Sequence, residues 1–219
     1  MRLLWPVFIA YHLFLARSED INVEKHASSL KESLSSSSGA ESQNTTPEIS
    51  PAEQVNRKAA DKYIIMANAF LKRGSTDGAL KELKKAINRA PNYADPYFIR
   101  GSIYVQMNDY LSALSDFISA LDLAGGAHDS AFEYALEICN YLHGIEEYAA
   151  IVPALGVLHS YDVFDESLGR LYADTLLQTG DSLGALAVLE KYPLDVSTRD
   201  SAMLMASLYE TAGRYCAVK

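Results

Sequence analysis

The side chains able to do chemistry are few, and their spacing does not serve it. Five histidines stand at 12, 26, 128, 143 and 159. No two share the His-x-x-x-His interval that would set two imidazoles around a metal on one helix face. No His-x-Asp occurs, which disfavours an oxygenase using iron and oxoglutarate. Gly125-Gly126 is not followed by Lys-Ser/Thr, so there is no backbone cradle for a nucleotide phosphate. The Gly-x-Ser-x-Gly turn that would present a nucleophilic serine is missing as well. His128-Asp129 suits a helix start with Asp129 as the cap. Lys81, Lys84, Lys85 and Arg89, with Glu82 among them, suit a solvated helix face. The expectation is no enzyme, with no catalytic, metal-binding or cofactor-binding residues.

Composition narrows the remaining classes. The 219 residues are 49% hydrophobic and 21% charged, which is globular, and the formal net charge is −9. Such a balance argues against nucleic acid, whose phosphates need a basic stripe.

The beginning of the chain has the layout of a secretory signal. Arg2 gives a basic start, Leu3 to Leu15 form an apolar run too short to span a bilayer, and Ala16-Arg17-Ser18 supplies small residues for cleavage before Glu19. Residues 1–18 are therefore expected to be a cleaved signal peptide. Left uncleaved, the same run would hold the chain at a membrane. Residues 19–50 are expected to be a disordered Ser-rich spacer, since over its length it keeps no sustained helical or alternating period. One glycosylation acceptor, Asn44-Thr45-Thr46, lies within it and agrees with secretion.

Order is expected from Ser50-Pro51-Ala52-Glu53, where Ser50 can cap, Pro51 suits the first helical position and Glu53 can reach back to close a capping box. The next residues form a pattern written twice, 34 residues apart. Tyr63 pairs with Tyr97, Ala67 with Gly101, Phe70 with Tyr104, Ala79 with Ala113, Leu83 with Phe117 and Ala86 with Ala120. Small residues stand where two helices must touch, and aromatics fill the gaps between them. Each copy predicts a helix hairpin, the first broken at Gly74 and closed by Pro91. Residues 129–159 predict two further helices, around Ala131–Leu142 and Ile145–His159. There Glu147 replaces the expected alanine, and Pro153 should kink or shorten the second helix. The pattern returns with Tyr172, Ala173, Leu176, Gly180, Ala185 and Leu189, and starts a fifth time with Met205, Ala206, Tyr209 and Gly213. Cys139 and Cys216 fall about two repeats apart, too far for a disulfide between stacked helices.

This period and these residues resemble the tetratricopeptide repeat. The resemblance covers about residues 60–219, and it is strong in the first, second and fourth units, weak in the third and partial in the fifth. It implies an all-α fold, an α-solenoid in which helix hairpins wind into a right-handed superhelix over 51–219. It further implies a surface for holding another protein. In the family the first helix of each hairpin lines a concave groove. Asp61, Ile64, Ile65, Asn68 and Leu71 would face it from the first unit, and Asp95, Phe98, Ile99, Ser102 and Val105 from the second. Phe132 and Leu136 would continue the stripe. Equally, Ile64, Phe98 and Ile99 could pack between helices and meet no ligand. The carboxylate clamp of family members that hold heat-shock protein tails is not matched, because of its residues only Asn68 is present and Ile64 and Ile99 stand in clamp positions.

With a signal ahead of it, the array resembles the luminal tetratricopeptide co-chaperones of the endoplasmic reticulum, which carry a J domain. No His-Pro-Asp triplet occurs here, so contact with luminal Hsp70 would run through a further C-terminal part. The expected function is a binding module for client polypeptides in the endoplasmic reticulum lumen, or a secreted one. The alternatives are a scaffold subunit packed permanently in a complex, or the N-terminal portion of a longer enzyme or J-domain protein.

Overall fold

A computed structural model of the chain describes residues 50–161 and 166–191, with positions 203, 205, 206 and 208 beyond them. The signal peptide, the spacer with Asn44, Cys216 and most of the fifth repeat lie outside the described residues. Every element among the described residues is helical: α1 Pro51–Lys72, α2 Thr76–Arg89, α3 Ala94–Gln106, α4 Tyr110–Leu123, α5 Asp129–Gly144, α6 Tyr148–Ser160, α7 Glu166–Gln178 and α8 Ser182–Lys191. They make an all-α array of hairpins of the solenoid class, in two compact units that divide between His128 and Asp129. No described helix is long and apolar enough to cross a membrane.

In the first unit α1 packs on α2 and α3 on α4. Ser50 Oγ accepts the Glu53 N–H at 3.2 Å and starts α1, with Pro51 at the first helical position. The reciprocal half of the capping box is not made with Ser50, because the Glu53 carboxylate takes Arg57 Nη2 at 2.9 Å. Gly74 ends the helix with φ of 73°, a left-handed value that costs glycine nothing, and the Ser75 N–H returns to the Phe70 carbonyl at 2.9 Å. The small residues then do what their spacing requires. Ala67 and Ala79 are fully buried in one cluster with Ile64, Leu83 and Ala86. At Gly101 a Cβ would lie 2.9 Å from Phe117 Cε1 and 3.3 Å from the Ala113 carbonyl oxygen, so only glycine admits this approach of α3 to α4.

In the second unit, α5 packs on α6 and α7 on α8. Glu147 is an exposed N-cap position, and the seam that alanine would have filled is packed by Ala135, Ile138, Cys139, Ile151 and Leu155. α6 runs 13 residues from Tyr148 to Ser160 with Pro153 inside it, beginning three residues later than the expected Ile145. Gly156 lets Tyr172 close on α6, since a Cβ there would sit 3.2 Å from the Tyr172 hydroxyl. Leu208, fully buried, and Met205 pack against Ala173, Leu176, Ala185 and Leu189 of α7 and α8.

Candidate protein-binding face

The predicted groove residues separate into buried and open sets. Ile64 is 3% exposed and Phe98, Ile99, Ser102 and Val105 are equally buried, whereas Ile65 is 67% exposed. Asn68, Leu71, Phe132 and Leu136 are half-buried. Ile64 and Ile99 belong to the core between the first hairpin and α3. The Phe98 ring stacks on His128 at 4.6 Å between centroids and tilts against Phe117 at 5.5 Å. Ser102 Oγ is turned back to the Phe98 carbonyl at 3.0 Å. Of the two readings held for Ile64, Phe98 and Ile99, these positions match packing between helices. His128 covers Phe98, and Asp129, expected as the cap, is the first residue of α5.

The face that stays accessible on the first unit is acidic and centred on the meeting of α1 with the start of α3. Tyr93, in the turn before α3, donates its hydroxyl to Asp95 Oδ2 at 2.8 Å. Asp61, one repeat earlier than Asp95, also draws on that hydroxyl. One phenolic proton cannot serve two carboxylates. Burial raises the Asp61 carboxyl above the usual range, the Tyr93 hydrogen bond opposes this, and the Asp95 charge adds to it. Burial first, and then the Asp95 and Asp61 carboxylates, push the Tyr93 phenol upward. Arg57 holds the turn from the α1 side, with Nη2 donating to the Asn92 carbonyl at 3.2 Å and its guanidinium 5.4 Å from the Tyr93 ring centroid.

Two acceptors on this face have no donor. Asp61 Oδ1 and Asn68 Oδ1 are shielded and accept no hydrogen bond from the described residues. They lie two helical turns apart on the stripe of α1 that also carries the exposed Ile65. Both atoms are closed to solvent, and beside them the surface carries exposed Ile65 with Lys58 and Lys62 next to it. Tyr93 and Arg57 were not evident as site residues in the sequence. The one available signal was the repetition of aspartate at 61 and 95, with an aromatic two residues before the second.

Comparisons with known proteins agree with the repeat. A profile described as TPR repeat matches residues 67–108, and one described as tetratricopeptide repeat matches 94–125. Residues 67–125 are thus tetratricopeptide repeats, a class that works as protein-interaction modules. Among solved structures, a MamA protein is 14% identical, covers 74% of this chain and 98% of its own, and has a TM-score of 0.42. MamA from Desulfovibrio magneticus RS-1 is 19% identical over 72% of this chain and 97% of its own, with a TM-score of 0.38. YrrB, described as a TPR protein with an unusual peptide-binding site, is 18% identical over 75% of this chain and 95% of its own, with a TM-score of 0.39. Likeness at these values says nothing about partners. No curated protein gives a significant match to the chain.

Proposed function

We propose that the tetratricopeptide repeats of this chain hold extended protein segments on the α1–α3 face of the first unit, and that the protein does so in the secretory pathway as a client-binding or assembly factor. The observation that carries the binding half is Ile65, 67% exposed on α1 in the stripe of Asp61 and Asn68. An extended segment brings backbone N–H groups at intervals, and its lysine or arginine side chains bring charge to Asp61 and Asp95. Its apolar residues would rest on Ile65. The compartment half rests on the signal layout of residues 1–18 and on the Asn44 acceptor.

Binding is tested with the full chain and a labelled peptide of alternating lysine and leucine, followed by fluorescence anisotropy. Asp61→Asn and Asn68→Ala should each weaken binding by about tenfold, the loss expected of one charge-assisted or buried hydrogen bond. Salt should weaken it further in the wild type and less in Asp61→Asn. Equal affinity across all three proteins would remove the reading. The compartment is tested by sequencing the protein recovered from the medium of secreting cells: an N-terminus at Glu19 and a glycan on Asn44 support it, and a retained Met1 overturns it.

A scaffold subunit is the second reading, favoured by Met107 and Leu111, both exposed beside the α3–α4 turn. Such a subunit should aggregate when expressed alone, whereas a client holder should stay dispersed and keep a reduced, unfolded protein from aggregating.

A further inference from the structure

The charge of the first hairpin runs against that of the whole chain. Residues 51–89 hold nine of its 19 lysines and arginines and four of its 28 aspartates and glutamates, so this hairpin is basic by five charges in a protein of net charge −9. Four of the nine cations lie on α2. Lys81, Lys84, Lys85 and Arg89 are all exposed and, with Asn88, share an arc of about 140° of the helix.

In the sequence Glu82 stands among these residues, where it could neutralise them. In the structure it is turned into the hairpin, 6% exposed, with Oε1 taking Lys85 Nζ at 2.7 Å. Asp77, in the first turn, is then the one carboxylate on the arc. Among the described residues Lys81, Lys84 and Arg89 take part in no ion pair. The helix dipole accounts for a cation at Arg89 in the last turn, but its reach ends before Lys81 and Lys84. The repeat does not require them either. The same positions are Ser115 and Ile118 on α4, and Ala187 and Glu190 on α8. The buried side of α2 is kept, by contrast, with Ala79, Leu83 and Ala86 answered by Ala113, Phe117 and Ala120.

We propose that the outer face of α2 holds an acidic segment of a partner protein, at a site separate from the α1–α3 face. Lys81, Lys85 and Arg89 follow one another at four-residue steps, about 6 Å along the helix axis. Carboxylates on alternate residues of an extended chain repeat at about 6.6 Å, close to that step. Lys85 keeps donors for a ligand while it holds Glu82, since an ammonium has three and its side chain is 56% exposed. Lys84 flanks the row and meets a carboxylate from the side. One exposed pair of this kind is weak, but four grouped cations attract an acidic ligand together, and salt screens them together.

The test is fluorescence anisotropy on the full chain at low salt, with a labelled peptide of alternating glutamate and serine. Lys81→Gln with Lys84→Gln should weaken binding by about fivefold, and Lys81→Glu with Lys84→Glu by about tenfold or more, with helicity unchanged in both. Added salt should weaken the wild type and barely alter the charge-reversed variant. Asp61→Asn, which loosens the lysine and leucine peptide, should leave the glutamate peptide bound, so the two sites stand or fall separately. Equal affinity in the wild type and the charge-reversed variant would overturn the proposal. So would salt-sensitive self-association of the wild type that the charge reversal abolishes, which would make the occupant a second copy. Tighter binding of a heparin fragment of equal charge would overturn it as well, in favour of a sulfated polysaccharide.

Discussion

Arg100 on α3 grips Asp116 on α4 with two parallel hydrogen bonds, Nε to Oδ2 at 2.7 Å and Nη2 to Oδ1 at 2.6 Å. The aspartate side chain is 5% exposed and the arginine side chain 23%. Removing Asp116 strands the Arg100 guanidinium, which its partial exposure lets water reach in part. Asp116→Ala should therefore cost about 1–2 kcal/mol of unfolding free energy in urea titrations followed by circular dichroism. Replacing both residues with leucine should cost much less, and a double loss equal to the sum of the single losses would show that the pair does not act as a unit.

Gly101→Ala sets two effects against each other. Alanine favours a helix interior by about 1 kcal/mol over glycine. The added methyl would press on Phe117 and the Ala113 carbonyl at 2.9 and 3.3 Å, and overpacking costs about 1–3 kcal/mol. The contact should win, giving a net loss of stability. Gly74→Ala offers the contrasting case: nothing lies within 4 Å of its Cβ, and the penalty there comes from φ of 73° alone.

Ile64→Ser and Phe98→Ser should act on the fold. Both side chains are buried, so each change should lower stability by about 3 kcal/mol or more and reduce peptide binding only in proportion to unfolding. Weakened binding at full helicity would return these residues to the groove.

Asp174 faces His143, with Nε2 and Oδ2 3.0 Å apart. The His143 imidazole so close beside it, set against the cost of burial, holds the Asp174 carboxyl below the usual carboxylate range. A depressed folded value contributes stability above the unfolded value of about 3.9, and that contribution is lost as pH falls through the folded value. Asp174→Asn should therefore destabilise the protein by about 0.5–1 kcal/mol at pH 5, with the gap to wild type closing as the pH drops below about 4. A constant gap from pH 5 to pH 2 would contradict this.

Cys139 is free and buried, and burial pushes its thiol up to about 12. A thiolate reagent should leave it unmodified in the native protein at pH 8 and label it at a rate set by opening of α5 and α6. Rapid labelling of folded protein would show that the seam is not closed.

How much of this was legible in the sequence depends on what each feature requires. Ala67, Ala79, Gly101 and Ala113 announce helix contacts because close approach excludes larger side chains wherever it occurs, and their period survives in the text of the chain. Exposure along the first helix of each hairpin could not be read in that way. Ile65 and Ile99 share one register and one residue type, yet the first is open and the second buried. The difference lies in α2, whose Leu83 and Ala86 share a core with Ile99 while Ile65 stays open, which is a property of neighbours and not of the position. Tyr93 was invisible for a similar reason: it matters because α1 and the start of α3 bring two aspartates to one hydroxyl.

The burial of Leu208 beneath α7 and α8 has a practical side for anyone preparing shortened versions of the molecule. A cut placed after Lys191, where α8 stops, would strip Ala173, Ala185 and Leu189 of their lid and yield sticky, poorly behaved material. Fragments should keep at least the stretch through residue 208.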